Sequence, residues 1–119
     1  MDCKLFDSEL KVMDVLWSMG ALRAVQIADI MLERHSWNRN TTYTVLKKLI
    51  DKNAVERIEP YFTCRALISK EQVQTRETNE LIGKLFDSSK DLFLSAFLSN
   101  ADLSKDDLER LKQMIDTME

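Results

Sequence analysis

Asn40, Thr41, Thr44, Lys47, Lys48 and Asp51 fall at spacings that an α-helix gathers on one side. An amide, two hydroxyls and two ammonium groups on one face suit contact with duplex DNA, where such groups meet base edges in the major groove and neutralise phosphates. Arg39 and Tyr43 lie in the same segment, and Arg57 follows in a β-prone run. The candidate DNA-contacting residues are therefore Arg39, Asn40, Thr41, Tyr43, Thr44, Lys47, Lys48 and Arg57. Arg39, Lys47 and Lys48 supply charge, while Asn40, Thr41, Tyr43 and Thr44 are placed to touch bases or phosphates. The competing interpretation is an ordinary solvated helix surface.

The chain offers little to an enzyme. His35 is its one histidine and has no carboxylate or cysteine at ligand spacing, so neither a general base nor a metal site is expected. Cys3 and Cys64 form no CxxC pair and read as reduced thiols. A carboxylate pair, a Ser/His/Asp set and a glycine-rich phosphate loop are all absent from the pattern. No catalytic residue, cofactor or metal is expected. Met1-Asp2-Cys3-Lys4 does not resemble a secretory leader and no run is apolar enough to span a membrane, so a cytoplasmic protein without a membrane partner is expected.

A net charge of −3 looks unfavourable for binding DNA, but its distribution resolves the conflict. Residues 1–70 hold 11 Lys and Arg against 9 Asp and Glu, whereas residues 71–119 hold 6 against 11. Between Arg34 and Arg57 six basic residues face only Asp51 and Glu56. Phosphate binding needs a local basic face, not a basic whole.

The elements that must carry this face follow from periodicity. With 45% hydrophobic and 31% charged residues, two glycines and one proline in 119 residues, the composition is that of an ordered protein with long helices. A first helix starts with Asp7 as its cap, Glu9 adding charge to the first turn, and buries Leu10, Met13, Leu16 and Trp17 before Gly20 ends it. The extended Ala21-Leu22-Arg23 leads to a second helix with Val25, Ile27, Ala28, Met31 and Leu32 inward, closed by His35-Ser36. Asn38 caps a third helix running to Asn53, with Val45, Leu46, Leu49 and Ile50 as its core side. Val55 to Ile58 and Tyr61 to Leu67, joined across Glu59-Pro60, read as a hairpin. Three helices and a hairpin make a winged helix-turn-helix. Trp17 reads as core; Trp37 packs in the turn or lies along a phosphate, with packing favoured; Arg57 and Arg65 either reach phosphates or are solvated.

Ser69 with Gln72 forms a capping box that opens the second half. Helical runs there carry Val73, Leu81, Ile82, Leu85 and Phe86, then Leu92 to Leu98 up to the gap Ser99-Asn100. Ser104 opens a last helix with Leu108, Leu111, Met114 and Ile115 on one side. Leu81, Ile82, Leu85, Phe86, Phe93, Phe97, Leu108, Leu111 and Ile115 are more apolar surface than an isolated helix pair can hide, which marks a homodimer interface unless they fold back as ordinary core. Reading a palindrome with two copies also supplies the base pairs that one recognition helix lacks.

Two stretches carry a resemblance: Asp7-Ser8-Glu9-Leu10-Lys11-Val12-Met13-Asp14-Val15-Leu16-Trp17 and Trp37-Asn38-Arg39-Asn40-Thr41-Thr42-Tyr43-Thr44-Val45-Leu46-Lys47-Lys48-Leu49. The first is similar to the opening helix, and the second to the recognition helix, of the penicillinase-repressor (BlaI/MecI/CopY) family. The resemblance implies a dimer on a palindromic operator, repression of an antibiotic-resistance operon, and induction when a regulatory protease cuts the C-terminal helical region. The family's cut falls at an Asn-Phe bond; the matching bond here is Ala96-Phe97, without the asparagine. The paired CxC motifs of the copper-responsive branch have no counterpart, since no cysteine follows Cys64, and the hairpin offers Glu59-Pro60 where the family has a glycine and a basic tip.

The expected protein is mainly α with a small β-hairpin wing: a winged helix over 1–69 and a helical dimerisation arm over 70–119. Its expected role is a repressor on double-stranded DNA, the alternative being a winged helix that binds proteins.

Overall fold

The computed structural model describes residues 4–100 and 102–116, with the Ile115 side chain and Cys3 outside the described residues. The elements run α1 (Asp7–Met19), β1 (Leu22–Arg23), α2 (Ala24–His35), α3 (Arg39–Asp51), β2 (Val55–Ile58), β3 (Thr63–Ala66), α4 (Lys70–Leu85), α5 (Lys90–Asn100) and α6 (Lys105–Asp116). Two compact units result, Met1–Arg76 and Glu77–Glu119. The division lies inside α4 and not at 69/70, because Val73 in the first turns of α4 is buried in the winged-helix core.

In the first unit α1, α2 and α3 pack on one another and on an antiparallel sheet of order β1-β3-β2. The core draws Val12, Met13, Val15 and Leu16 from α1, Ala24, Ile27, Ala28 and Met31 from α2, and Val45, Leu46 and Leu49 from α3, closed by Ala54, Val55 and Cys64. Each large side chain so buried contributes about 1.5–3 kcal/mol. The expected stripes shift in phase. Val25 and Leu32 are 38% and 54% exposed, because Ala24, Ile27, Ala28 and Met31 define the inward face and leave these two across the helix. In α1, Val12 and Val15 are buried while Leu10 and Trp17 are only half-buried. Trp17 still serves the fold, its Nε1 donating to the Ile68 carbonyl at 2.9 Å.

Helix ends hold two departures. Asp7 is the first helical residue of α1 and Phe6 its N-cap; Glu9 accepts the Phe6 N–H at 2.8 Å, and its side chain is buried, not a solvated partner of the helix dipole. Gly20 ends α1 at φ 83, as the pattern predicts, but Ser36 takes the left-handed position after α2 at φ 56, donating its N–H to the Leu32 carbonyl. α3 stops at Asp51, with Asn53 at φ 61 turning the chain into β2.

The hairpin forms with Val55 opposite Ala66 and Ile58 opposite Thr63, but Tyr61 and Phe62 belong to its turn. The extended piece at residue 22 is a third strand, Leu22 pairing with Cys64 and Arg23 with Thr63. The capping box opening α4 is present: Gln72 Oε1 accepts from Ser69 N–H at 2.8 Å and Ser69 Oγ from Gln72 N–H at 3.0 Å.

Among its described residues the second unit holds helices joined by short turns. Phe86 meets Phe93 edge-on at 5.5 Å and Phe93 stacks on Phe97 at 6.4 Å. α5 extends through Ser99-Asn100, where the Asn100 amide donates to the Ala96 carbonyl at 2.8 Å. Ser104 and Asp107 cap α6 reciprocally.

Candidate nucleic-acid interface

The start of α3 is set by Asn38, whose Oδ1 accepts from the Thr41 N–H at 2.8 Å and from the Thr41 hydroxyl at 3.0 Å. This satisfies one of the free amide donors of the first turn and leaves that end of the helix positively polarised, a favourable place for phosphate. Val45, Leu46, Leu49 and the buried Thr42 hold the inner side to the core. Arg39, Asn40, Thr41, Thr44, Lys47 and Lys48 are consequently all exposed on the outer side. Among the described residues neither Lys47 nor Lys48 makes an ion pair, while Arg39 approaches Asp29 of α2 at 3.5 Å, with both side chains well exposed. Exposed pairs of this kind are worth under about 1 kcal/mol, so Arg39 remains available to a polyanion.

The other candidates lie elsewhere. Tyr43 is half-buried and stacks on Phe62 of the hairpin turn, centroids 6.4 Å apart. Arg57 is bound by Glu59 through Nε and lies over the Phe62 ring, 3.7 Å from its centroid. Arg65 is bound by Glu56. Both hairpin arginines thus have carboxylate partners within the wing. Trp37 is half-buried against the core and 6.0 Å from the His35 ring, which gives it the packing role.

Lys52, counted in the basic segment, is also engaged. Its Nζ lies 2.7 Å from Glu9 Oε1 and 2.9 Å from the Lys4 carbonyl, and 4.6 Å from the Phe6 ring centroid. The spacing of charges along the sequence could not reveal this, because Glu9 is distant in the chain. Phe62 is likewise no candidate from spacing; its one signal in the chain is an aromatic residue beside the hairpin turn.

In the second unit Leu81, Leu85, Phe97 and Leu108 are 42%, 68%, 47% and 47% exposed, Phe86, Phe93 and Leu111 are half-buried, and Ile82 is buried. Phe97, Leu103, Asp107, Arg110, Leu111 and Met114 line an open groove of about 380 Å³. Ala96 and Phe97 sit within helical α5, the first half-buried and the second exposed. Burial raises the Cys64 thiol from 9.0 to about 11, opposed by nearby Arg57. Among the described residues no group of three or more His, Cys, Asp and Glu is arranged to hold a metal ion, and no helix is long and apolar enough to cross a membrane.

The solution structure of the DNA-binding domain of the repressor BlaI matches 59% of this chain and 88% of its own at a TM-score of 0.55 and 24% identity. The Bacillus licheniformis BlaI monomeric form in complex with the blaP half-operator matches 60% and 89% at 0.52 and 23%. These likenesses show the winged-helix fold. The methicillin resistance regulatory protein MecI of Mammaliicoccus sciuri is 22% identical over 120 residues, 97% of this chain and 98% of that protein. The penicillinase repressor of Bacillus licheniformis is 21% identical over 115 residues, 95% and 90% of the two chains. The model of the family described as penicillinase repressor matches residues 5–117, and the chain therefore belongs to the penicillinase-repressor family of transcriptional repressors.

Proposed function

We propose that the protein is a homodimeric cytoplasmic repressor that occupies a palindromic operator on double-stranded DNA, each copy laying α3 in the major groove of one half-site. The observation that carries this reading is the outer side of α3, where Arg39, Asn40, Thr41, Thr44, Lys47 and Lys48 are all exposed while the opposite side is core. The fold keeps all of these groups solvated, with Arg39, Asn40 and Thr41 in the polarised first turn of the helix, which suits base edges and phosphates. The relative bound to a half-operator as a monomer supports one copy per half-site. The exposed leucines and Phe97 of the arm supply the apolar surface for pairing the copies.

By the same reading the regulated genes form a resistance operon of the kind that the names of the relatives indicate. Release follows cleavage by a regulatory protease at Ala96-Phe97, which detaches α6 from the arm. That bond lies in a helix, so α5 must unwind locally before a protease can take it as an extended strand.

The test is footprinting of the purified protein on genomic DNA at two salt concentrations. Each phosphate neutralised adds about 0.9 to the steepness of log K against log salt. The expected result is a protected palindrome whose occupancy falls steeply with salt, and a slope shallower by about one for Lys48→Ala with unchanged thermal unfolding. Absence of protection at low salt would move the helix face to a role in binding protein.

A further inference from the structure

Phe62 stands where the hairpin turn re-enters the sheet, in a left-handed conformation at φ 49 that bulky residues rarely take. Its carbonyl accepts the Ala24 N–H at 2.9 Å, tying this point of the turn to the start of α2. The ring is held by two neighbours. Tyr43 of α3 stacks on it with planes 23° apart, and the Arg57 guanidinium lies 3.7 Å from its centroid. Glu59 binds the same guanidinium and fixes its orientation. Tyr43, Phe62, Arg57 and Glu59 thus form one continuous row from the recognition helix to the wing turn.

We propose that this row is a clamp that sets the angle between α3 and the wing, with Phe62 as its central positioning residue, and that Arg57 acts through Phe62 instead of binding a phosphate. The inference rests on the DNA-binding reading above. The turn at residues 59–62 lies beyond the last paired residues of β2 and β3, Ile58 and Thr63, and a turn outside the ladder can swing about its base. Stacking it on α3 removes that freedom before DNA arrives, so the ordering cost is not met on binding. The wing arginines fit this role, since Glu59 and Glu56 already neutralise them and leave the wing with little charge to offer a phosphate. The clamp therefore contributes selectivity by shape and little to the electrostatic part of affinity.

Duplexes enriched from a random-sequence pool by the wild-type full chain serve as the probe. Phe62→Leu preserves charge and apolar character but removes the ring. It should lose at least about tenfold in affinity for the enriched duplex, with the salt slope unchanged. Hydroxyl-radical protection beside the wing should disappear while protection along the groove taken by α3 persists. Phe62→Tyr, which keeps the ring, should restore both. Should Phe62→Leu fail to fold, Arg57→Met gives the same decision: the clamp predicts weaker binding at an unchanged slope, whereas a phosphate contact predicts a slope shallower by about one. Wild-type affinity and footprint in Phe62→Leu, or the shallower slope in Arg57→Met, overturns the clamp. A wild type that enriches no duplex sinks the DNA-binding reading itself, a result distinct from either.

Discussion

Lys52, the residue after α3, reaches back to Glu9 in the first turn of α1, with Nζ 2.7 Å from Oε1 and the Glu9 side chain only 1% exposed. Glu9 Oε1 also accepts the Phe6 N–H, while Oε2 has no hydrogen-bond partner among the described residues. One buried carboxylate thereby ties the exit of α3 to the entry of α1, and Lys52 compensates its charge.

Removing that compensation should be costly. Lys52→Met leaves a buried anion without its cation, and destabilisation by about 2 kcal/mol is expected, below the 3–5 kcal/mol typical of fully buried pairs because Lys52 is partly solvated. Glu9→Gln keeps an acceptor for Phe6 without the charge and should cost about 1 kcal/mol. Urea unfolding of the two variants checks the order; equal stability of Lys52→Met and wild type would show that the pair contributes nothing net.

Asn38 allows stability and binding to be separated. Asn38→Ala removes the acceptor for the Thr41 N–H and should lower stability by about 1 kcal/mol. Asn38→Asp keeps the cap and suits the helix dipole, so the domain should stay as stable as wild type, yet it sets a negative charge where phosphate is expected. Weaker DNA binding by Asn38→Asp at full thermal stability is the expected outcome. Unimpaired binding would mean that the start of α3 does not approach the backbone.

The arm offers two kinds of apolar residue, and they should respond differently. Leu85 is 68% exposed, so Leu85→Asp should yield a folded monomer in sedimentation velocity with its helical circular dichroism intact. Phe93 is the middle ring of the row Phe86, Phe93 and Phe97, so Phe93→Asp should reduce helix content, at a cost of about 2 kcal/mol within one copy. A dimer that survives Leu85→Asp would place the interface elsewhere on the arm.

Cys64 carries a pH signature. Its folded value lies near 11 and its ordinary one at 9.0, so between these limits the unfolded chain loses a proton that the folded chain retains. This thiol adds no pH dependence well below pH 9, and stability should fall as pH rises from there to 11, by about 2 kcal/mol at the upper end. Cys64→Val should flatten this alkaline decline. In a Cys3→Ser background the remaining thiol should react with a disulfide reagent only as fast as the domain opens.

Much of this architecture is legible in the chain. The three helices, the hairpin and the two faces of α3 follow from apolar period and from caps such as Asn38 and Ser69, because these are local signals repeated over several turns. What escapes is set by distance or by phase. Val25 and Leu32 count as apolar without their angular position against Ala24 and Ile27 being decisive. Glu9 reads as a first-turn acid serving the helix dipole because its partner Lys52 lies at the far end of α3. Ala21-Leu22-Arg23 reads as extended but is too short to signal a strand, and pairing with β3 makes Leu22–Arg23 one. Tyr43 shares a segment with the polar face but turns to Phe62, and nothing in the helical spacing records that an aromatic ring waits there.

One consequence concerns how such a protein can change over generations. The outer residues of α3 add little to the packing that holds the helix in place; Val45, Leu46, Leu49, the Asn38 cap and the Lys52 anchor do that work. Asn40, Thr44, Lys47 and Lys48 can therefore be replaced one by one at little folding penalty. A duplicated copy is free to drift toward a new binding sequence while its scaffold stays intact, so diversity of targets can accumulate on a single unchanging frame.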